Sequence, residues 1–152
     1  MPKSLYSGQI QMLVEDLCVE DIVCLRLKCT SGVYPTVTYR EVFYTQLHGQ
    51  QIGQTILWVE QIQPAVLKTL ALQPVYQQYC QEAHDAGGLR LSAAIDRYRK
   101  RLLLHHMSDG RLRLIVAGDI EIYDKQPPEF RYWENGYHYR DAYLYYTVPP
   151  AD

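Results

Sequence analysis

The stretch T-V-T-Y-R-E-V-F-Y-T-Q-L-H-G-Q-Q-I-G-Q-T-I-L-W-V-E-Q-I, residues 36–62, decides the fold class. Over residues 36–47 it alternates: Val37, Tyr39, Glu41, Phe43 and Thr45 face one way, and Thr38, Arg40, Val42 and Tyr44 the other. Period two is the mark of a strand, because successive side chains leave opposite faces of the backbone. Residues 51–62 read as a second strand. His48 and Gly49 lie between them, so the pair is expected to form a long hairpin around Gly49.

Working outward toward the N-terminus, residues 21–28 contain I-V-C-L-R-L-K, a β-branched run that reads as a strand. Ser31 and Gly32 supply a turn after it. Residues 9–17 are apolar and fit helix or strand equally, and residues 1–8 read as an irregular arm. Toward the C-terminus, Pro64 opens a helical stretch over residues 65–83, because its missing N–H would be unpaired in a first turn anyway. Pro74 is expected to kink or divide that helix. Gly87 and Gly88 end it. Ser92 is a candidate N-cap for a helix over residues 93–107, whose face is traced by Ile95, Tyr98, Leu102 and His106 and widened by Leu103. Ser108, Asp109 and Gly110 stop it. Residues 111–117 and 119–123 read as short strands, and Pro127 and Pro128 as a rigid break. Residues 129–133 and 137–148 then flank Asn135 and Gly136, a pair suited to the positive φ angles of a tight hairpin turn. The expected fold is therefore α+β, an antiparallel sheet of two long hairpins with inserted helices, in a single domain over residues 1–152.

The 152 residues, 47% hydrophobic and 21% charged, exclude disorder for most of the chain. No apolar run approaches the ~18 residues that span a bilayer. The first residues carry no long apolar segment of a secretory signal, so a cytoplasmic location is expected. A net charge of -2 argues against a duplex-DNA binder. The four cysteines, Cys18, Cys24, Cys29 and Cys80, form no C-x-x-C pair and read as reduced thiols. The neighbours His105 and His106 cannot share one helical face. No metal and no cofactor is expected, and no nucleophile elbow, P-loop or H-E-x-x-H motif occurs.

Three groups of residues carry candidate chemistry. In a two-residue hairpin around Asn135 and Gly136, Arg131 faces Arg140, a like-charge pair that needs an anion or a nearby carboxylate such as Glu129 or Asp141 between them. Arg90, Arg97, Arg99, Lys100, Arg101, Arg111 and Arg113 concentrate positive charge around Tyr98 and His105. Such a mixture suits a single-stranded nucleic acid or phosphate surface, or simply a solvated helix face. Tyr137, Tyr139, Tyr143 and Tyr145 alternate, in a chain with 14 Tyr against 2 Phe and 2 Trp. That stripe is either core or the wet edge of an interface, where Tyr is favoured.

The run R-E-V-F-Y-T-Q-L-H-G-Q-Q-I-G-Q-T-I-L-W-V-E and the later L-Q-P-V-Y resemble the chorismate pyruvate-lyase family, particularly its cyanobacterial branch. The matching positions are Arg40, Val42, Gly49, Gln50, Trp58, Glu60 and Pro74, and W-E-N-G with L-Y-Y-T-V-P-P is similar to that family's closing hairpin. The resemblance implies a pocket for a small aromatic or carboxylate ligand. There Arg40, whose guanidinium fork can hold a carboxylate, would be the anchor, with Arg131 and Arg140 as further ligand-binding candidates. The family carries a glutamate on its last strand where this chain has Tyr143, Leu144, Tyr145 and Tyr146, so the resemblance implies binding more than catalysis, and, if the chain is an enzyme, a pyruvate-lyase-like one. The hairpin E-F-R-Y-W-E-N-G-Y-H-Y-R also resembles one in small accessory subunits of cyanobacterial-type III-D CRISPR effectors. That implies a non-catalytic subunit of a larger protein–RNA assembly, reached through Tyr137, Tyr139 and the cluster Arg97, Arg99, Lys100 and Arg101.

Overall fold

The structure, a computed structural model, describes residues 4–30, 35–123 and 146–147. It is α+β, with an antiparallel sheet in the order β4-β7-β6-β5-β1-β2-β3-β8-β9. The strands are β1 Gly8–Asp16, β2 Ile22–Lys28, β3 Thr36–Arg40, β4 Tyr44–Thr45, β5 Thr55–Ile62, β6 Arg101–Met107, β7 Leu112–Ala117, β8 Asp119–Tyr123 and β9 Tyr146–Thr147. Three helices, α1 Pro64–Leu67, α2 Gln73–Glu82 and α3 Leu89–Tyr98, lie between β5 and β6.

The linear strand order closes on itself. Tyr44 registers with Val116 at one end of the order, and Arg40 registers with Asp119 near the other. Between them Phe43 N donates to Val116 O at 2.8 Å and Gly118 N to Arg40 O at 3.0 Å. Thus β3 runs into β4, β7 runs into β8, and the two bent strands pair along their length. The sheet is a closed barrel of β1, β2, β3–β4, β7–β8, β6 and β5. Closure removes the exposed edges that an open sheet would present. Register shifts at Ile10/Met12 in β1 and Ile56/Trp58 in β5 put bulges on both strands of one seam, and bulges sharpen the bend a small barrel needs.

Inward-facing side chains fill this barrel. Ile10, Leu25, Val37, Tyr39, Val59, Leu103, Ile115 and Ile120 belong to one buried cluster, so the interior is packed core. A second cluster lies outside, where Leu67, Leu72, Val75, Tyr79 and Leu91 of the helical layer cover Tyr44, Ile62, Leu102, Leu104, Leu114 and Val116. Strand β6 is therefore sealed on both faces, Leu103 toward the barrel and Leu102 and Leu104 toward the helices. Each such leucine, fully buried, contributes about 1.5–3 kcal/mol relative to exposure.

The structure corrects the sequence reading at several points. Residues 36–62 do not form a hairpin around Gly49. β3 pairs with β2 and β8, β5 pairs with β1 and β6, and Gly49–Gln51 is a 3-10 turn. The helix expected over residues 93–107 stops at Tyr98, and Arg101–Met107 is a strand. Ser92 is not its N-cap, because α3 starts at Leu89. Gly88 precedes it in the left-handed region, and the Asp85 carboxylate accepts from Arg90 N at 3.1 Å and Leu91 N at 3.0 Å. Pro74 does divide the helical stretch, standing in the first turn of α2 after a 3-10 turn at Leu70–Leu72. The ambiguous residues 9–17 lie mostly in β1. The turn at Ser31 and Gly32, and the hairpin around Asn135 and Gly136 apart from β9, lie outside the described residues.

Candidate functional site

The two candidate cationic groups in the described part of the chain meet at one end of the barrel. Arg40 is the last residue of β3, and its Nε donates to Glu121 Oε1 of β8 at 2.5 Å. Lys100 leads into β6 and its Nζ donates to Glu41 O at 2.8 Å. Arg101 opens β6, 6% exposed, with its guanidinium 3.6 Å from the Asp119 carboxylate. Arg101 was expected on a helix beside Arg97, Arg99 and Lys100. It is turned into the barrel end instead, where burial lowers the pKa of its guanidinium while Asp119 opposes that shift. These ion pairs staple β3, β6 and β8 where the barrel wall bends.

The backbone is most strained at this same end. Asp21, Glu41 and Arg99 all have positive φ, at 53°, 54° and 55°. Val42 N donates to Asp21 O at 2.8 Å, so the first two are locked against each other. A left-handed residue that is not glycine costs about 1–2 kcal/mol. Asp21, Glu41, Phe43 and Lys100 also line a surface cleft of about 390 Å³. Its charges are mixed in sign, unlike the purely basic surface a dicarboxylate would select.

Arg97, Tyr98 and Arg99 have the opposite disposition. α3 is anchored by Leu91 and Ala94, and its last turn carries these three residues out into solvent. Tyr98 is 69% exposed. Arg99 ends the helix in the left-handed region, with Lys100 N donating back to Ala94 O at 3.1 Å. The result is three consecutive exposed side chains, two cationic and one aromatic, on a short segment held by a helix on one side and a buried strand on the other. Arg131, Arg140, Tyr137 and Tyr139 lie outside the described residues.

Sequence reasoning missed a buried polar chain through the barrel. Tyr6 Oη is hydrogen-bonded to Tyr39 Oη, Tyr39 Oη is 2.6 Å from His105 Nε2, and His105 Nδ1 is 2.9 Å from Arg113 O. A carbonyl can only accept, so Nδ1 carries the proton, Nε2 accepts from Tyr39, and Tyr39 accepts from Tyr6. His105 is fully buried, and desolvation lowers its pKa to about 4. Desolvation likewise raises the Tyr6 and Tyr39 hydroxyls above their ordinary value. All three groups stay neutral near neutral pH. The alternation that put Tyr39 with Val37 was legible, but its partner four strands away was not. His106 points to the other face, its Nε2 2.8 Å from Glu60 Oε2 and its ring 4.6 Å from that of Trp58.

Among the described residues no group of His, Cys, Asp and Glu is placed to hold a metal ion, and no helix is long and apolar enough to cross a membrane. Comparison with known protein families, curated proteins and solved structures finds no match to this chain.

Proposed function

We propose that this chain is a non-catalytic binding subunit that receives a single-stranded RNA segment on Arg97, Tyr98 and Arg99 within a larger assembly. The observation that carries this reading is Tyr98, 69% exposed at a fixed helix end and flanked in sequence by two exposed arginines. Leaving a tyrosine ring in water forfeits burial energy, and stacking a base on it returns about 1–3 kcal/mol. The flanking guanidinium groups supply the phosphate contacts. Lys100 and Arg101 are engaged at the barrel end, so the patch is small. With a net charge of -2, the isolated chain should bind RNA weakly, as a subunit adding one contact to many would.

The test is fluorescence anisotropy with a labelled oligouridylate. Tyr98→Ala should weaken binding by about tenfold. The double variant Arg97→Glu with Arg99→Glu should weaken it further and reduce the slope of log K against log salt by about 1.4, two phosphate contacts on a single strand. Binding that ignores all three substitutions would reject the proposal. The carboxylate-ligand reading has less support, because Arg40 is already ion-paired through its Nε with Glu121 and the adjoining cleft carries Asp21 and Glu41. Chorismate or 4-hydroxybenzoate at ~100 times its Kd would add roughly 2.7 kcal/mol to the stability of a protein that bound it. An unchanged melting temperature sets that reading aside.

A further inference from the structure

A surface recess of about 770 Å³ lies on the helical layer, and Tyr98 is not among its lining residues. Its floor is the buried Leu67, its outer wall is Leu70, 83% exposed, and Lys68 stands at its rim. α2 forms the other wall. There Gln73, Gln77 and Gln81 are all exposed and follow one another at i, i+4 and i+8, which places them on one face. Among the described residues none of the three side-chain amides has a hydrogen-bond partner; the neighbouring Gln78 instead donates to Glu82 Oε2 at 3.4 Å.

We infer that this groove binds an extended polypeptide segment with an acidic residue at one end, its main chain read by the three glutamines. The spacing argues for an extended chain. Four residues of an α-helix rise about 6.0 Å, and two residues of an extended chain rise about 6.6–6.8 Å. Successive glutamine amides therefore meet successive peptide groups on one side of such a chain, and the mismatch over the ladder stays within side-chain reach. Each amide offers a donor and an acceptor together, matching the N–H and C=O of a peptide group. A helical ligand would find no use for them, since its own backbone groups are already paired. Alternate apolar side chains of the segment would meet Leu70 and the Tyr76 ring, and Lys68 would hold the acidic end. The inference is independent of the RNA-binding reading, because the two surfaces share no residue.

The test uses the full chain, labelled for amide NMR and titrated with the synthetic hexapeptide T-L-T-L-T-E. Saturable shifts of the side-chain amides of Gln73, Gln77 and Gln81 are expected. The same peptide N-methylated on alternate residues should bind at least about tenfold more weakly. Gln77 is exposed, so Gln77→Leu should leave the spectrum outside α1 and α2 unchanged and still weaken binding about tenfold. Gln73→Leu provides the same readout should Gln77→Leu fail to fold. Lys68→Glu should reverse the preference between T-L-T-L-T-E and T-L-T-L-T-K. Equal affinity for the N-methylated peptide, absence of saturable shifts, or oligouridylate shifting the same amides would each overturn the inference. None of these outcomes depends on whether Tyr98 binds RNA.

Discussion

At the residue scale, His105 ties stability to pH. Its ordinary pKa of 6.5 is lowered to about 4 by burial, so between those values the unfolded chain binds a proton that the native state refuses. Stability must then fall as pH drops from 6.5 toward 4 and level off below, a loss of about 3 kcal/mol. Asp85 acts in a different window. Burial pushes its carboxyl up, but the Tyr79 hydroxyl and the N–H groups of Arg90 and Leu91 together hold it below 3.8, so its contribution is lost only at lower pH. Urea unfolding at about pH 7.5 and 4.5 separates the two, and a midpoint that does not move would contradict the His105 assignment. Tyr39→Phe should cost about 1–3 kcal/mol at neutral pH, because it leaves His105 Nε2 and the Tyr6 hydroxyl buried without the partner between them.

At the scale of elements, the end of α3 sets stability against binding. Arg99 holds φ 55°, which glycine adopts without strain, so Arg99→Gly should stabilise the fold by about 1 kcal/mol in thermal unfolding. The same change should weaken oligouridylate binding, since it removes a cation from the patch. A stabilised variant with undiminished RNA affinity would show that Arg99 is only a helix stop. Gly118→Ala should destabilise by about 1–3 kcal/mol, since its Cβ would stand 2.5 Å from Glu41 Oε2 and 3.1 Å from Glu41 Cβ, where β7 turns into β8. How legible each element was in the sequence follows from how many faces it buries. β2, β7 and β8 could be read directly from their composition. β6 was mistaken for the continuation of a helix because Leu102, Leu103 and Leu104 are all buried and show no alternation, while Ile95, Tyr98, Leu102 and His106 happen to fall at helical spacing. The meeting of Arg40 with Lys100 and Arg101 was hidden for another reason: it depends on barrel closure, which brings together residues some sixty positions apart. The exposure of Tyr98 had no local signal either, because it depends on where α3 ends.

At the scale of the whole molecule, the barrel has one thin seam. β1 and β2 register from Gln9 to Asp16, and β6 and β7 from Arg101 to His106, whereas β1 meets β5 only at Gly8↔Ile56 and Gln9↔Thr55. The seam is extended by bonds from outside the ladder. Ile10 N donates to Gln54 O and Gly53 N to Ile10 O, and the arm before β1 adds Leu5 N to Val59 O and Val59 N to Ser4 Oγ. That arm also brings the Tyr6 hydroxyl to Tyr39 and packs Leu5 and Tyr6 against the barrel core. A closed barrel opens where the fewest bonds must break together, so local opening should begin at β1–β5 and leave β6–β7, sealed on both faces, to the end. In native-state hydrogen exchange the Leu5, Ile10 and Gly53 amides should show lower opening free energies than the β6–β7 ladder. Deleting residues 1–6 should widen that gap. The deletion removes two seam hydrogen bonds and two half-buried side chains, a loss of about 3–6 kcal/mol at ordinary hydrogen-bond values and half the full-burial value for each side chain. The β6–β7 amides would then exchange faster only by the fall in global stability, while those of Ile10 and Gly53 would lose nearly all protection. Uniform exchange across both ladders, before and after deletion, would mean that the barrel opens as one unit and that the arm is not its clasp.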